Sequence, residues 1–137
     1  FLHNEVKPAV NQIETNPLFQ QKASNKFLKG EGIQHEAWAP FAEGQCDIFN
    51  NPTLKAIAAN HGKTTAQVVL RWLNQRGIAV IPKSVRRERM EENISILDFT
   101  LSDVEMEAIS LLDTGRSPIY DDSDLSVTRY IGTLKIH

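Results

Sequence analysis

The segment Ile81–Asn93, IPKSVRRERMEEN, places four cations, Lys83, Arg86, Arg87 and Arg89, within seven residues, just after an apolar run broken by Pro82. Ser84 can cap a helix starting near Arg86. The N–H groups at such a start lack partners within the helix and carry partial positive charge, which suits an anion. Lys83 adds a compact ammonium, and Arg89 a planar fork that can take a phosphate through two donors. Two readings are open: a solvated basic helix face, or a phosphate socket. The position directly after a buried parallel strand favours the socket, because ligands gather at the carboxyl ends of such strands. Two more side chains stand near strand ends. Trp38, in AWAPF, either belongs to the core or offers an aromatic face to a flat ring. Gln12, in NQIE, is an amide in an otherwise apolar strand and needs a side chain or a ligand amide as partner.

Other chemistries find less support. His3, His35, His61 and His137 show no metal-ligand spacing, so no metal site is expected. The sequence contains no GxSxG, no Walker-type loop and no GxGxxG. Glu31, Glu36, Asp47 and the pair Asp121–Asp122 have no partner evident in the sequence, and no acid/base pair is assigned. Asn93-Ile94-Ser95 matches a glycosylation sequon only formally.

These residues need elements to hold them. Residues 8–14 (PAVNQIE) form a short β-prone run closed by Asn16-Pro17. Leu18, Phe19, Ala23, Phe27 and Leu28 lie on one helical face ended by Gly30 and Gly32. Residues 33–41 predict a second strand stopped by Pro40, and 42–50 a loop. Asn51 and Pro52 start a helix with Leu54, Ile57 and Ala58 as its buried stripe. Thr64 and Gln67 make a capping box for the next helix, with Ala66, Val69, Leu70 and Leu73 facing inward and Gly77 at its end. IAVIP, from Ile78, is continuously apolar, as for a strand buried on both faces. The basic segment opens another helix, and Ser102/Glu105 cap one more, with His61 at the end of the Asn51-capped helix. After Asp113 the pattern becomes ordered loop. Strands alternating with helices, without hairpin signals, predict an α/β fold on a parallel sheet.

Composition agrees with a single domain of 137 residues, 41% hydrophobic and 23% charged, with net charge −2. That charge disfavours nucleic acid and anionic membrane as partners, and no apolar run approaches a membrane span. A lone Cys46 without a signal-peptide pattern suggests a reducing, cytoplasmic compartment. A chain starting with Phe1 is expected to be processed or part of something longer.

Taken in order, KPAVNQIETNPLFQQ, GIQHEAWAPF, LKAIAANHGKTTAQVVLRWLNQRGIAVIPKS, RERMEENISILDFTLSDVEMEAI and the closing LKIH resemble the C-terminal part of an aldo-keto reductase. The run from Lys63 to Asn93 is the most specific, and the tail is similar to the bacterial diketogluconate-reductase-like branch. The resemblance implies a (β/α)8 barrel, of which residues 1–137 are the C-terminal cofactor-binding part. Residues 9–14, 33–38 and 78–81 would be its sixth, seventh and eighth strands. It implies NADP(H) bound without a Rossmann domain. Gln12 would bond the nicotinamide carboxamide, and Trp38 stack on the ring. Phe41 and its neighbours would line the pyrophosphate, with Ala39 where many members have serine. Lys83, Ser84 and Arg89 would hold the 2′-phosphate, and Glu92 and Asn93 reach the adenine. Arg87 stands where proline is common. The family's catalytic Asp, Tyr, Lys and His belong to its first four strands, so none is assigned here; Tyr120 and Tyr130 lie in the tail that shapes the substrate pocket. The implied reaction is reduction of a small carbonyl substrate, completed by the missing N-terminal half or a partner chain. The alternative is an NADP(H)-binding regulatory or redox-sensing module without significant turnover.

Overall fold

The computed structural model describes residues 5–120 and Thr133. His3, His137, Tyr130, Asp121–Asp122 and the closing LKIH therefore lie outside the described residues. Three strands, β1 (Val10–Glu14), β2 (Gln34–Trp38) and β3 (Ala79–Val80), form a parallel sheet in the order β1-β2-β3. Among the described residues five longer α-helices accompany them: α1 (Lys22–Gly30), α2 (Pro52–His61), α3 (Thr65–Gln75), α4 (Arg87–Ile94) and α5 (Asp103–Ser110). A kinked 3-10 segment, Ala42–Asn50, fills the stretch expected to be loop.

The helices start where their caps dictate. Asn51 Oδ1 accepts from Thr53 N and Leu54 N at 3.0 and 3.2 Å, with Pro52 at the first position of α2. The Thr64/Gln67 box opens α3 and the Ser102/Glu105 box opens α5. The core lies between the sheet and α2, α3 and α5. Leu54, Val68, Leu70, Leu73 and Ile109 have no exposed surface, and Trp72 is fully enclosed. Truncating one such leucine to alanine typically costs about 2–5 kcal/mol.

Two side-chain amides of α3, the buried Gln67 and the half-buried Gln75, stitch the segments that follow β3 onto it. Gln67 Nε2 donates to Glu92 O and Ser95 O, both at 3.0 Å, while its Oε1 accepts from Thr64 N. Gln75 acts as a one-residue strand partner: its Nε2 donates to Leu101 O at 3.0 Å and its Oε1 accepts from Leu101 N at 2.7 Å. The Gln67 bonds hold α4 across the start of α3, and the Gln75 bonds dock Leu101 at its end.

Four expectations need correction. The helix expected through Leu18 and Phe19 begins only at Lys22, because Asn16 Oδ1 accepts from both Leu18 N and Phe19 N and folds them into a turn. Of its predicted face only Leu28 is buried, and Phe27 is 53% exposed. The second strand stops at Trp38, before Ala39, whose φ of 48° is incompatible with a strand. The run from Ile78 is not covered on both faces: Ile78 is buried but Ile81 is 67% exposed, because β3 pairs only with β2 among the described residues. The helix in the basic segment begins at Arg87, without a side-chain cap; Ser84 Oγ instead accepts from Arg86 N at 3.1 Å in a local turn.

Candidate cofactor site

Strand alternation separates two sets of side chains. The register pairs Gln12 with Glu36, Glu14 with Trp38, and Glu36 with Ala79. These residues share the sheet face opposite to Ala37, which packs into the core with the helices. On that face Gln12 Nε2 donates to Glu36 Oε1 at 2.7 Å. The side-chain oxygen of Gln12, Oε1, has no partner among the described residues. Glu36 therefore has a partner after all, as do Glu31 with Lys7 at 2.7 Å and Asp47 with Asn50 at 2.7 Å.

Trp38 is half-buried rather than a core residue; Trp72 takes that role. Its ring centroid lies 6.2 Å from that of Tyr120, at 46°. The loop carrying Tyr120 is anchored to β1. Ser117 Oγ donates to Glu14 Oε2 at 2.6 Å and accepts from Ile119 N and Tyr120 N. Asn16 Nδ2 occupies the other oxygen of Glu14 at 3.1 Å, so this buried carboxylate is satisfied.

Beyond the carboxyl ends of β2 and β3 lies a cleft of about 450 Å³. Phe41, Lys83, Ser84, Arg89, Glu92 and Asn93 line it together. Six of the nine residues singled out in the sequence thus converge on one space. Gln12 and Trp38 stand on the open sheet face instead, and Ala39 does not reach the cleft lining. Lys83 and Arg89 make no hydrogen bond or ion pair among the described residues. Arg87, by contrast, pairs with Glu91 at 2.9 Å, and Arg86 does not line the cleft. The distribution separates two available cations from their solvated neighbours.

Sequence reasoning missed the other wall. Phe49, Thr64, Thr65 and Ala66 complete the lining, so the amino end of α3 opens onto the cleft and adds its partial positive charge. The capping box at Thr64 marked that helix start and was a usable signal. Thr64 Oγ1 donates to Glu92 Oε1 at 2.5 Å, which fixes the one carboxylate of the cleft. The Phe41 and Phe49 rings meet at 5.5 Å between centroids and form an apolar floor. An unpaired ammonium, an unpaired guanidinium, a hydroxyl and a helix start are a donor set for a phosphate; the aromatic pair and Asn93 suit an attached organic group.

Residues 1–113 match the Aldo/keto reductase family. The chain is 46% identical over 108 residues to glyoxal reductase of Bacillus subtilis (strain 168), covering 79% of this chain and 38% of that protein. It is 44% identical over 110 residues to aldose reductase B of Dictyostelium discoideum, covering 80% and 35%. Among solved structures, a Bombyx mori aldo-keto reductase in complex with NADP superposes with a TM-score of 0.80 at 32% identity, covering 93% of this chain and 43% of that one. The chain therefore spans well under half the length of these relatives.

Proposed function

The chain belongs to the aldo/keto reductase family, and from that premise we propose that it is the cofactor-binding part of an NADP(H)-dependent reductase of aldehydes and ketones. The observation that carries this reading is the cleft in which Lys83 and Arg89, both without partners, converge with Ser84, Glu92, Asn93 and Phe41. A 2′-phosphate would take its donors from Lys83, Ser84 and Arg89. Glu92, held by Thr64, and Asn93 would face the adenine. Phe41 would border the pyrophosphate, and the path would continue over Trp38 to Gln12. The partially enclosed face of Trp38 fits a flat ring, and the free carbonyl oxygen of Gln12 fits a carboxamide N–H.

When bound, the cofactor supplies a hydride to the carbonyl carbon, and a proton reaches the carbonyl oxygen to give the alcohol. The residues of this chain bind and orient. The proton donor and its supporting groups, a Tyr with Asp, Lys and His, are assigned to sequence outside these 137 residues. So are the remaining strands of a (β/α)8 barrel in which β1, β2 and β3 are the sixth, seventh and eighth. Tyr120 would border the substrate pocket, as the resemblance of the tail to the diketogluconate-reductase-like branch implies.

Competition against NADPH in the complete protein tests the assignment. Adenosine 2′,5′-bisphosphate should displace NADPH much better than 5′-AMP, because only the former fills the Lys83–Ser84–Arg89 donors. Equal displacement by the two would remove the 2′-phosphate from this cleft. Aldehyde-dependent oxidation of NADPH by the same preparation tests the reaction.

A further inference from the structure

We infer that Glu36 is a positioning residue that sets the orientation of the Gln12 amide, and through it the recognition of the carboxamide group of the cofactor; this rests on the assignment of Gln12 above. The two residues are register partners on adjacent parallel strands, so their side chains leave the same face of the sheet side by side. Gln12 Nε2 lies 2.7 Å from Glu36 Oε1.

A side-chain amide has a donor end and an acceptor end of nearly the same shape, and rotation by half a turn exchanges them. A carboxylate only accepts. Against Glu36 one orientation alone makes a bond, with the NH2 of Gln12 toward the carboxylate. The bond to a charged acceptor is also stronger than one between neutral groups. The carbonyl oxygen of Gln12 is thereby directed away from Glu36, and it has no partner among the described residues. It is an acceptor held ready for a ligand N–H. A primary carboxamide supplies that N–H; an acetyl group in its place does not. Without Glu36 the amide can turn, and its NH2 end meets the ligand's NH2 in part of the population. Glu36 thus contributes selectivity for the carboxamide without touching the cofactor.

The test measures, in the complete protein, the ratio of dissociation constants for NADP+ and for its analogue carrying a 3-acetyl group instead of the carboxamide. The unmodified protein should prefer NADP+ by about threefold to tenfold, the value of one neutral hydrogen bond. Gln12→Leu should remove the preference. Glu36→Ala should reduce it to near unity, and Glu36→Gln, which can donate or accept, should leave an intermediate ratio. Binding of adenosine 2′,5′-bisphosphate, which engages only the distant cleft, should be unchanged in all three variants and reports that each is folded. If Gln12→Leu removes the preference but Glu36→Ala keeps it, Gln12 is oriented by something else and the role of Glu36 is overturned alone. If Gln12→Leu itself keeps the preference, the carboxamide is held elsewhere and the assignment of Gln12 falls with it. A Glu36→Ala protein that weakens NADP+ and the analogue equally has lost structure, not orientation, and also overturns the inference.

Discussion

Thr64 joins two elements through one hydroxyl: its Oγ1 accepts from Gln67 N at 3.2 Å, capping α3, and donates to Glu92 Oε1 at 2.5 Å, holding α4. The same atom thus sets a helix start and the far wall of the cleft. Thr64→Ala should lower stability by about 1 kcal/mol through the lost cap and should weaken NADPH binding as Glu92 is released. Thr64→Ser should retain both. Chemical denaturation and cofactor titration of the two variants separate these outcomes; an alanine variant with unchanged midpoint would mean the cap is not used.

Lys83 and Arg89 should select between the two nicotinamide dinucleotides. Each can give a phosphate a charge-assisted hydrogen bond worth about 1.5–3 kcal/mol where poorly solvated. Arg89→Ala or Lys83→Ala should therefore weaken NADPH by roughly tenfold to a hundredfold and NADH by little. Arg87→Ala, which removes only the exposed pair with Glu91, should change neither appreciably. Cofactor fluorescence titration reads this directly, and equal losses for both dinucleotides in Arg89→Ala would reassign the segment to a solvated basic helix start.

The 137-residue chain expressed alone should be catalytically silent and prone to associate. Ile81, Val85, Ile94 and Leu97 are each more than two-thirds exposed; Ile94 and Leu97 line a groove with Val80 of β3, a strand whose outer edge is unpaired among the described residues. Apolar surface beside an open strand edge seeks another chain. Light scattering after size exclusion should show more than a monomer, and NADPH oxidation with an aldehyde should not exceed a control without protein. A monomer with turnover would contradict both statements.

Acid should destabilise the fold through His35. This ring is only 3% exposed; burial, with the nearby Arg76 charge, lowers its pKa to about 4. Its Nε2 lies 2.8 Å from Thr15 Oγ1. Above the ordinary value of about 6.5 both the folded and unfolded states are neutral here, and nothing is lost. As pH falls from about 6.5 toward 4, the unfolded chain takes up a proton that the folded one refuses, so stability declines by on the order of 2–3 kcal/mol. Comparing denaturation midpoints of the complete protein with those of His35→Gln across this range isolates the contribution. Identical pH slopes would show that His35 is not the group.

Local rules were legible in the sequence wherever one short motif decides a structure. Asn51-Pro52, the Thr64/Gln67 and Ser102/Glu105 boxes, and the stripes Leu54, Ile57, Ala58 and Val69, Leu70, Leu73 act within a turn or two and appear as expected, while Ala66, expected to face inward with the second stripe, is half-buried and lines the cleft instead. The three parallel strands followed from their alternation with helices, and cations placed after an apolar strand pointed to the segment that lines the cleft. What the tertiary structure alone decided depends on residues far apart in the chain. The Gln12–Glu36 bond needs the register of β1 against β2. The Thr64 wall of the cleft needs α4 held onto α3 by Gln67, and the place of Tyr120 needs Ser117 to find Glu14 across 103 residues. Composition and periodicity carry no record of which distant polar groups meet, because that follows from sheet register and helix packing. Those geometries sort the four cations of the basic segment into two that line the cleft, Lys83 and Arg89, and two that do not.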